Sequence, residues 1–491
     1  MTTHRLGASP HRQTDFYNLF TQHTEAVPPE LLQRYNLSGP RYTSYPTAPV
    51  WTKAFTASDL TTVLAEKKQD ALLQQTPFSL YVHLPFCESR CLFCGCNVVI
   101  TKQTQHAETY LGYLFKEMEL LIPQLDTTRP VVQIHYGGGT PTYLTPEQLT
   151  RVTERLKASF NVAPDAEISI ECDPRVTTTE QLATLRSLGF NRISLGVQDV
   201  DPKVQQTINR IQPLEQTAAL IESARELGFD GVNVDLIYGL PFQTPESFKA
   251  TIEAILPLSP DRLAVYNYAH VPWMAPHQKQ MPEEALPAGE LKYQMFKQTT
   301  RMLLEAGYVY IGMDHFAKPN DELAKAWDAT TLHRNFQGYT TRAGQAELVG
   351  MGLSSISSWE GHFSQNLKKL STYYATLDDD TLPTWRGYAL SEDDKIRRTV
   401  ISRLMCDNRL RFESVEQQFG IVFDTYFADA LEGLKPLLAD GLATLEAGVL
   451  EFTPLGRIFS RNIAMCFDAY LPQANTSNTA EKPTALFSKT L

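Results

Sequence analysis

Four cysteines fall within ten residues, Cys87-Glu88-Ser89-Arg90-Cys91-Leu92-Phe93-Cys94-Gly95-Cys96, directly after the apolar run Phe78-Ser79-Leu80-Tyr81-Val82-His83-Leu84. Thiolates this close together hold a metal centre or close a disulfide knot. Cys87, Cys91 and Cys94 stand at i, i+4 and i+7, which suits three corners of a cubane iron–sulfur cluster. Three protein ligands leave one iron open, as catalytic metals keep a vacant position. Structural zinc would recruit all four cysteines, yet its usual knuckle splits them into two distant pairs. A disulfide pair is the other alternative. The remaining cysteines, Cys172, Cys406 and Cys466, are isolated; seven in 491 residues make no disulfide framework and imply a reducing compartment.

Such a loop needs a rigid support, and the chain around it repeats one unit. Short β-rich runs occur at residues 80–84, 131–136, 168–171, 192–197, 232–237 and 262–266, with amphipathic helical stretches between them. Thr145-Pro146-Glu147-Gln148 supplies an N-cap, a first-turn proline and a capping-box glutamine, and Thr244-Pro245-Glu246 repeats the device. Leu188-Gly189-Phe190 and Leu227-Gly228-Phe229 place a glycine where a helix ends left-handed. Six βα units predict an α/β fold, an incomplete (β/α)6 TIM-like barrel with right-handed crossovers. Every strand then ends on one rim, the rim that carries the chemistry in such barrels. There the sequence places Gly137-Gly138-Gly139-Thr140, Glu171, Gln198, Asp235 and Tyr268-Ala269-His270. Singly, each also reads as a turn or a helix cap. Together, beside an open iron, they suit a ligand with ammonium, carboxylate, ribose and adenine groups.

The predicted divisions are an N-terminal segment at 1–50, partly disordered with a possible substrate contact, and the barrel at 51–375. A mainly helical C-terminal domain at 376–471 and a flexible tail at 472–491 follow. In the helical part Ser391 reads as an N-cap, and a possible winged-helix-like hairpin turns through Ala447-Gly448. Acidic side chains outnumber basic ones there, so a lid over a substrate is the better reading than a DNA-binding module. Over the whole chain 55 acidic residues face 44 basic ones, a net charge of -11. That field recruits neither nucleic acid nor an anionic membrane, and an anionic substrate must be met by local cations. No apolar run reaches membrane-span length and the first residues lack a secretory signal, so the cytoplasm is expected.

The Cys-x3-Cys-x2-Cys spacing resembles the radical S-adenosylmethionine (SAM) superfamily signature. Tyr81-Val82-His83-Leu84-Pro85-Phe86-Cys87, Cys94-Gly95-Cys96-Asn97 and Gly137-Gly138-Gly139-Thr140-Pro141-Thr142-Tyr143-Leu144 are similar to the oxygen-independent coproporphyrinogen III oxidase family. So are Glu171 with Asp173-Pro174-Arg175, Gly312-Met313-Asp314-His315-Phe316, His333-Arg334-Asn335-Phe336-Gln337-Gly338-Tyr339 and Arg461-Asn462. The resemblance implies that Cys87, Cys91 and Cys94 ligate a 4Fe-4S cluster whose open iron takes the amino and carboxylate groups of S-adenosyl-L-methionine. Tyr81, Phe93, Gly138, Glu171 and Ile356 match contacts to that molecule; Gly139, Thr140, Gln198, Arg210, Asp235 and Ala269 match a site for a second. It also implies oxidative decarboxylation of two propionates of coproporphyrinogen III, with Cys96 functional. Arg41 and Arg334 are the candidates to meet propionates, and a barrel short of closure offers a side opening for the tetrapyrrole. A flavodoxin-like or ferredoxin-like electron donor, an unknown electron acceptor and a monomeric state complete the expectation. The alternative is a paralogue of the superfamily, a haem chaperone or an anaerobic haem-degrading enzyme; the chaperone type lacks the fourth cysteine, which is present here as Cys96.

Overall fold

The computed structural model describes residues 17–22, 24, 27–341, 346–471 and 487–490. Twelve strands form its main sheet: β1 (Phe78–Leu84), β2 (Pro130–Gly138), β3 (Asn161–Cys172), β4 (Arg192–Gln198), β5 (Gly231–Tyr238) and β6 (Arg262–Asn267) come first. β7 (Val309–Gly312), β8 (His315–Ala317), β9 (Glu347–Met351), β10 (Ile356–Trp359), β11 (His362–Asn366) and β12 (Thr384–Ala389) follow. Their order is β12-β11-β10-β9-β1-β2-β3-β4-β5-β6-β8-β7. All six expected strands are present, parallel and consecutive from β1 to β6. β1 is buried at every position, as a strand covered on both faces must be. The Thr145–Gln148 capping box forms, and Gly189 and Gly228 adopt φ of +86° and +80°.

Beyond the predicted pattern, β9 adds a seventh parallel strand on the far side of β1. Periodicity did not reveal it because the connection from β6 places the antiparallel pair β7–β8, a short helix Glu322–Asp328 and a strand pair, His333–Asn335 with Gly338–Thr340, between the long helix Gly289–Glu305 and β9. Antiparallel strands flank the parallel set on both sides. No pairing joins β7 to β12 among the described residues, so the barrel remains open.

A second apolar core lies in the C-terminal part, built from Val400, Leu404, Phe423, Phe427, Phe459 and their neighbours. The expected hairpin is there, Ala443–Glu446 with Val449–Phe452, and Arg409–Arg411 adds a third strand to it. Contrary to the expectation of a loose start, the helix Pro29–Tyr35 and Tyr42 and Tyr45 pack into this core, and Phe20 is wholly buried. Residues 1–16 and 472–486 lie outside the described part, but residues 488–490 of the expected flexible tail pair with residues 37–39. Among the described residues no helix is long and apolar enough to cross a membrane.

One buried acid ties the first crossover helix, Gln105–Leu121, to the far side of the sheet. Glu117 accepts from Tyr373 Oη (2.5 Å), Gly352 N (2.8 Å) and Asn366 Nδ2 (2.6 Å). Burial pushes its carboxyl up from the ordinary 4.5 to about 7 against the pull of those donors. Between those two values the folded chain keeps a proton that the unfolded chain has released. The stabilisation from that proton is complete below pH 4.5 and lost as the pH rises through about 7. Glu117→Gln removes this component, so the stability difference between about pH 5 and about pH 8 shrinks in urea titrations. Glu117→Ala leaves three buried donors unmet and lowers stability by about 3 kcal/mol.

Candidate active site at the cysteine loop and barrel mouth

The cysteine loop is clipped at both ends. Phe86–Cys87 pairs in parallel with Val99–Ile100, and Val99 N donates to Pro85 O at 2.7 Å. From the other side Gly139 N donates to Leu84 O (2.9 Å) and Thr140 N to Phe86 O (2.7 Å). A Cβ on Gly139 would stand 2.6 Å from Phe86 O and 2.7 Å from Pro85 O. The glycine run therefore permits two backbones to touch, which a turn alone would not require. Leu92 and Phe93 pack against Val204, Ile208, Leu240 and Tyr268. Leu92 N donates to Ile208 O (2.9 Å), His277 Nε2 to Cys94 O (2.7 Å), and Gln278 Nε2 to both Phe93 O (3.0 Å) and Ala269 O (3.2 Å).

All four loop cysteines are free thiols, so the disulfide alternative fails. Arg175 Nη2 and Arg210 Nη1 approach Cys91 Sγ at 3.4 and 3.5 Å, and both guanidiniums share the Asp173 carboxylate. Both guanidiniums thus aim N–H donors at the one sulfur. Cys87 Sγ contacts Thr140 Oγ1 at 3.4 Å, and burial pushes this thiol up to about 11. The Cys96 thiol and backbone N–H both bond to Cys94 Sγ, the latter at 3.4 Å, and hold the Cys94 thiol down to about 7. Cys96 thus acts on Cys94, itself one of the three expected ligands. Among the described residues no three His, Cys, Asp or Glu side chains converge as a single ion demands. A cubane sets each thiolate on its own iron and makes no such demand, so the donor set fits the cluster.

The strand ends next to the loop are acidic. Glu171 Oε2 accepts from Gly138 N (3.2 Å) and its Oε1 meets His135 Nε2 (3.4 Å). It stands deep in the barrel yet keeps 44 % of its side chain open to the cavity. Burial opposes its charge, but the bond and charge of His135 outweigh that and hold the carboxyl below its usual range. Burial pushes the Asp235 carboxyl up to about 6, although Asn233 Nδ2 (2.8 Å) and Ser194 Oγ (3.1 Å) both donate to it. Tyr81 Oη donates to His83 Nδ1 (3.0 Å) while His83 Nε2 donates to Asn97 O (3.1 Å), which fixes the tyrosine beside the loop. Gln198 is buried at φ +71°. Arg210 is held by Asp173 and by Gly196 O (2.6 Å), and its Nε is enclosed without a partner. Ile356 sits apart, across β1 on β10: Gly350 is in register with Tyr81, and a Cβ there would meet Ile356 O at 2.4 Å.

Two arginines, Arg41 and Arg334, act on the same Tyr266 ring as Asp235 and Glu171. Arg41 pairs with Asp314 and faces the Tyr266 ring at 5.7 Å; burial first, then the charge of Arg334, lowers its guanidinium. Arg334 lies on the His333–Asn335 strand over the Tyr339 ring (4.7 Å), and its neighbour Phe336 meets Tyr81 edge-on at 4.9 Å. Arg461 donates to Pro40 O (2.9 Å), Gly39 O and Lys489 O (3.0 Å), so it pins the backbone that carries Arg41. Sequence reasoning named Arg41 and Arg334 but missed their support, Asp314 and Arg461, and missed the Asp173–Arg175 pair at Cys91. Each was visible only as part of a short motif.

Comparison with known proteins agrees with this geometry. The family model "Radical SAM superfamily" matches residues 81–255, and "HemN C-terminal domain" matches residues 390–459. The oxygen-independent coproporphyrinogen III oxidase of Salmonella typhimurium is 47 % identical over 443 residues, covering 90 % of this chain and 95 % of the relative. The protein of that name in Pseudomonas aeruginosa is 45 % identical over 448 residues, covering 91 % and 96 %. The solved coproporphyrinogen III oxidase HemN of Escherichia coli, described as a radical SAM enzyme, superimposes with a TM-score of 0.84 at 44 % identity, covering 91 % and 99 %. The chain belongs to the oxygen-independent coproporphyrinogen III oxidase family. As a member of it, this is a radical SAM oxidoreductase, which implies an iron–sulfur cluster and SAM. Family membership also selects the oxidase reading over the haem chaperone or haem-degrading paralogue.

Serine at Cys87, Cys91 or Cys94 is expected to abolish the visible absorption of the reconstituted cluster. Cys96→Ser is expected to retain iron and lose turnover; full activity would remove Cys96 from the functional set. Gly139→Ala must push the loop off its seam, so iron loading falls although no ligand is changed, as iron analysis would show.

Proposed function

We propose that this chain converts coproporphyrinogen III to protoporphyrinogen IX in haem synthesis, oxidatively decarboxylating two propionates to vinyl groups. The observation that carries this reading is the partition of charge in one barrel mouth. Glu171 and Asp235 stand at strand ends on the rim of the cysteine loop and would meet a sulfonium and an ammonium; Arg41 and Arg334, which act with them on the Tyr266 ring, would meet carboxylates.

Cys87, Cys91 and Cys94 would hold the 4Fe-4S cluster, and Tyr81, Phe93, Gly138, Glu171 and Ile356 the SAM on its open iron. When bound, these groups would supply the radical chemistry for removing hydrogen from the propionate β-carbon, and the overall reaction would release carbon dioxide and pass electrons to an acceptor. The chain's part is positional. Glu171 and the Gly138 amide orient the amino-acid end of SAM; Arg41 and Arg334 fix the ring by its side chains; Tyr81, Phe336 and Tyr266 wall the space against water. A second SAM is proposed at Gly139, Thr140, Gln198, Arg210, Asp235 and Ala269, supported by the enclosed, unpartnered Arg210 Nε and the buried Asp235 carboxyl. The reading further takes the enzyme as a cytoplasmic monomer, reduced by a flavodoxin-like or ferredoxin-like donor, with an electron acceptor of unassigned identity.

The test is an anaerobic assay with reconstituted protein, a strong reductant, SAM and coproporphyrinogen III. Chromatography is expected to show loss of two carboxyl groups and formation of the divinyl product. Unchanged substrate alongside an intact cluster would refute the reading. Arg41→Gln is expected to raise KM by about thirtyfold, because it strands Asp314 and removes a propionate partner.

A further inference from the structure

A cavity lined by none of the loop cysteines sets Arg334, already a candidate for the propionates, beside a cation with no role so far, Arg398. Arg334 and Arg398 line it together with Ser44, Ser358, Ile356 and Phe363, and no carboxylate belongs to its wall. Arg334 Nε and Nη1 are enclosed without any hydrogen-bond partner. Arg398 comes from the C-terminal helix Glu392–Asp407. Its neighbours Arg397 and Arg403 pair with Asp393 and Asp407 on that helix, as surface arginines do. Arg398 pairs with no carboxylate among the described residues. It stacks over Phe363 (5.1 Å), reaches Ser358 Oγ only at 3.5 Å, and feels Glu360 without an ion pair. Two enclosed guanidiniums facing one space, with no anion between them, cost several kcal/mol unless a ligand brings the charge.

We infer that Arg334 and Arg398 form a carboxylate subsite that holds one of the propionates the reaction leaves intact. The inference rests on the proposed substrate and adds which part of it this cavity takes. A propionate that departs as neutral carbon dioxide loses its charge on the way. Two guanidiniums gripping that group would stabilise the starting state more than the transition state and slow the step. The same grip on a retained propionate fixes the ring without that penalty. The hydroxyls of Ser44 and Ser358 supply further donors for a carboxylate. Because Arg398 belongs to the C-terminal region and Arg334 to the crossover before β9, substrate binding joins the two parts of the chain.

The test uses reconstituted holoenzyme under anaerobic conditions and the fluorescence of coproporphyrin III, the oxidised tetracarboxylate analogue, with its tetramethyl ester as the uncharged control. Arg398→Gln is expected to weaken coproporphyrin III binding by about thirtyfold or more. It should leave ester and SAM affinity unchanged and raise KM for coproporphyrinogen III far more than it lowers kcat. Arg398→Lys keeps the charge and is expected to recover part of the loss, which separates charge from packing over Phe363. Unchanged tetracarboxylate affinity in Arg398→Gln would overturn the subsite while leaving the proposed reaction standing. Equal affinity of the wild type for acid and ester would overturn it too, even if the glutamine variant fails to fold. Absence of both porphyrin binding and turnover in the wild type would instead refute the proposed reaction.

Discussion

Unpaired buried charge is the constraint on which this barrel mouth depends. Glu171 has only a histidine and an amide for company, Asp235 only neutral donors, and Arg334 and Arg398 have no carboxylate among the described residues. Brought together, these groups would neutralise one another and leave an inert core. The fold keeps them apart: the acids ride on β3 and β5, the guanidiniums on the strand before β9 and on the C-terminal helix. Tyr266 feels both sets, Asp235 and Glu171 as well as Arg41 and Arg334. A cavity that carries both signs on separate side chains can meet a cation and an anion with different groups.

Keeping charges apart requires a stiff frame, and the chain supplies it through close backbone contact. The Gly137–Gly139 run lets β2 press on the residues leading into Cys87. Gln278 and His277 hold the far end of the loop by its carbonyls, and Arg461 anchors the segment bearing Arg41. These are bonds to backbone oxygens, so they fix position without spending the charges that face the cavity.

The βα rhythm was legible because each unit carries its own signals: a capping box, an apolar stripe and a left-handed glycine. The rim positions followed from strand polarity alone. Less was legible where long-range pairing decides. β9 finds β1 across most of the barrel sequence, and its five residues hold no helix-and-strand alternation that would announce it. The N-terminal segment carries no periodicity to foretell that Tyr35, Tyr42 and Tyr45 are buried against helices nearly four hundred residues away. Nothing in the sequence separates Arg398 from Arg397 and Arg403 nearby. Only the fold tells it from its paired neighbours, by turning it toward a cavity without acids.

The separation of charge can be measured directly by titrating SAM and coproporphyrin III, each alone, into Glu171→Gln and Arg334→Gln holoenzymes. The account predicts a crossed result: the glutamate variant loses affinity for the sulfonium only, and the arginine variant for the tetracarboxylate only. If each substitution weakened both ligands to the same degree, the two ends of the cavity would not be electrostatically distinct, and the account would be wrong.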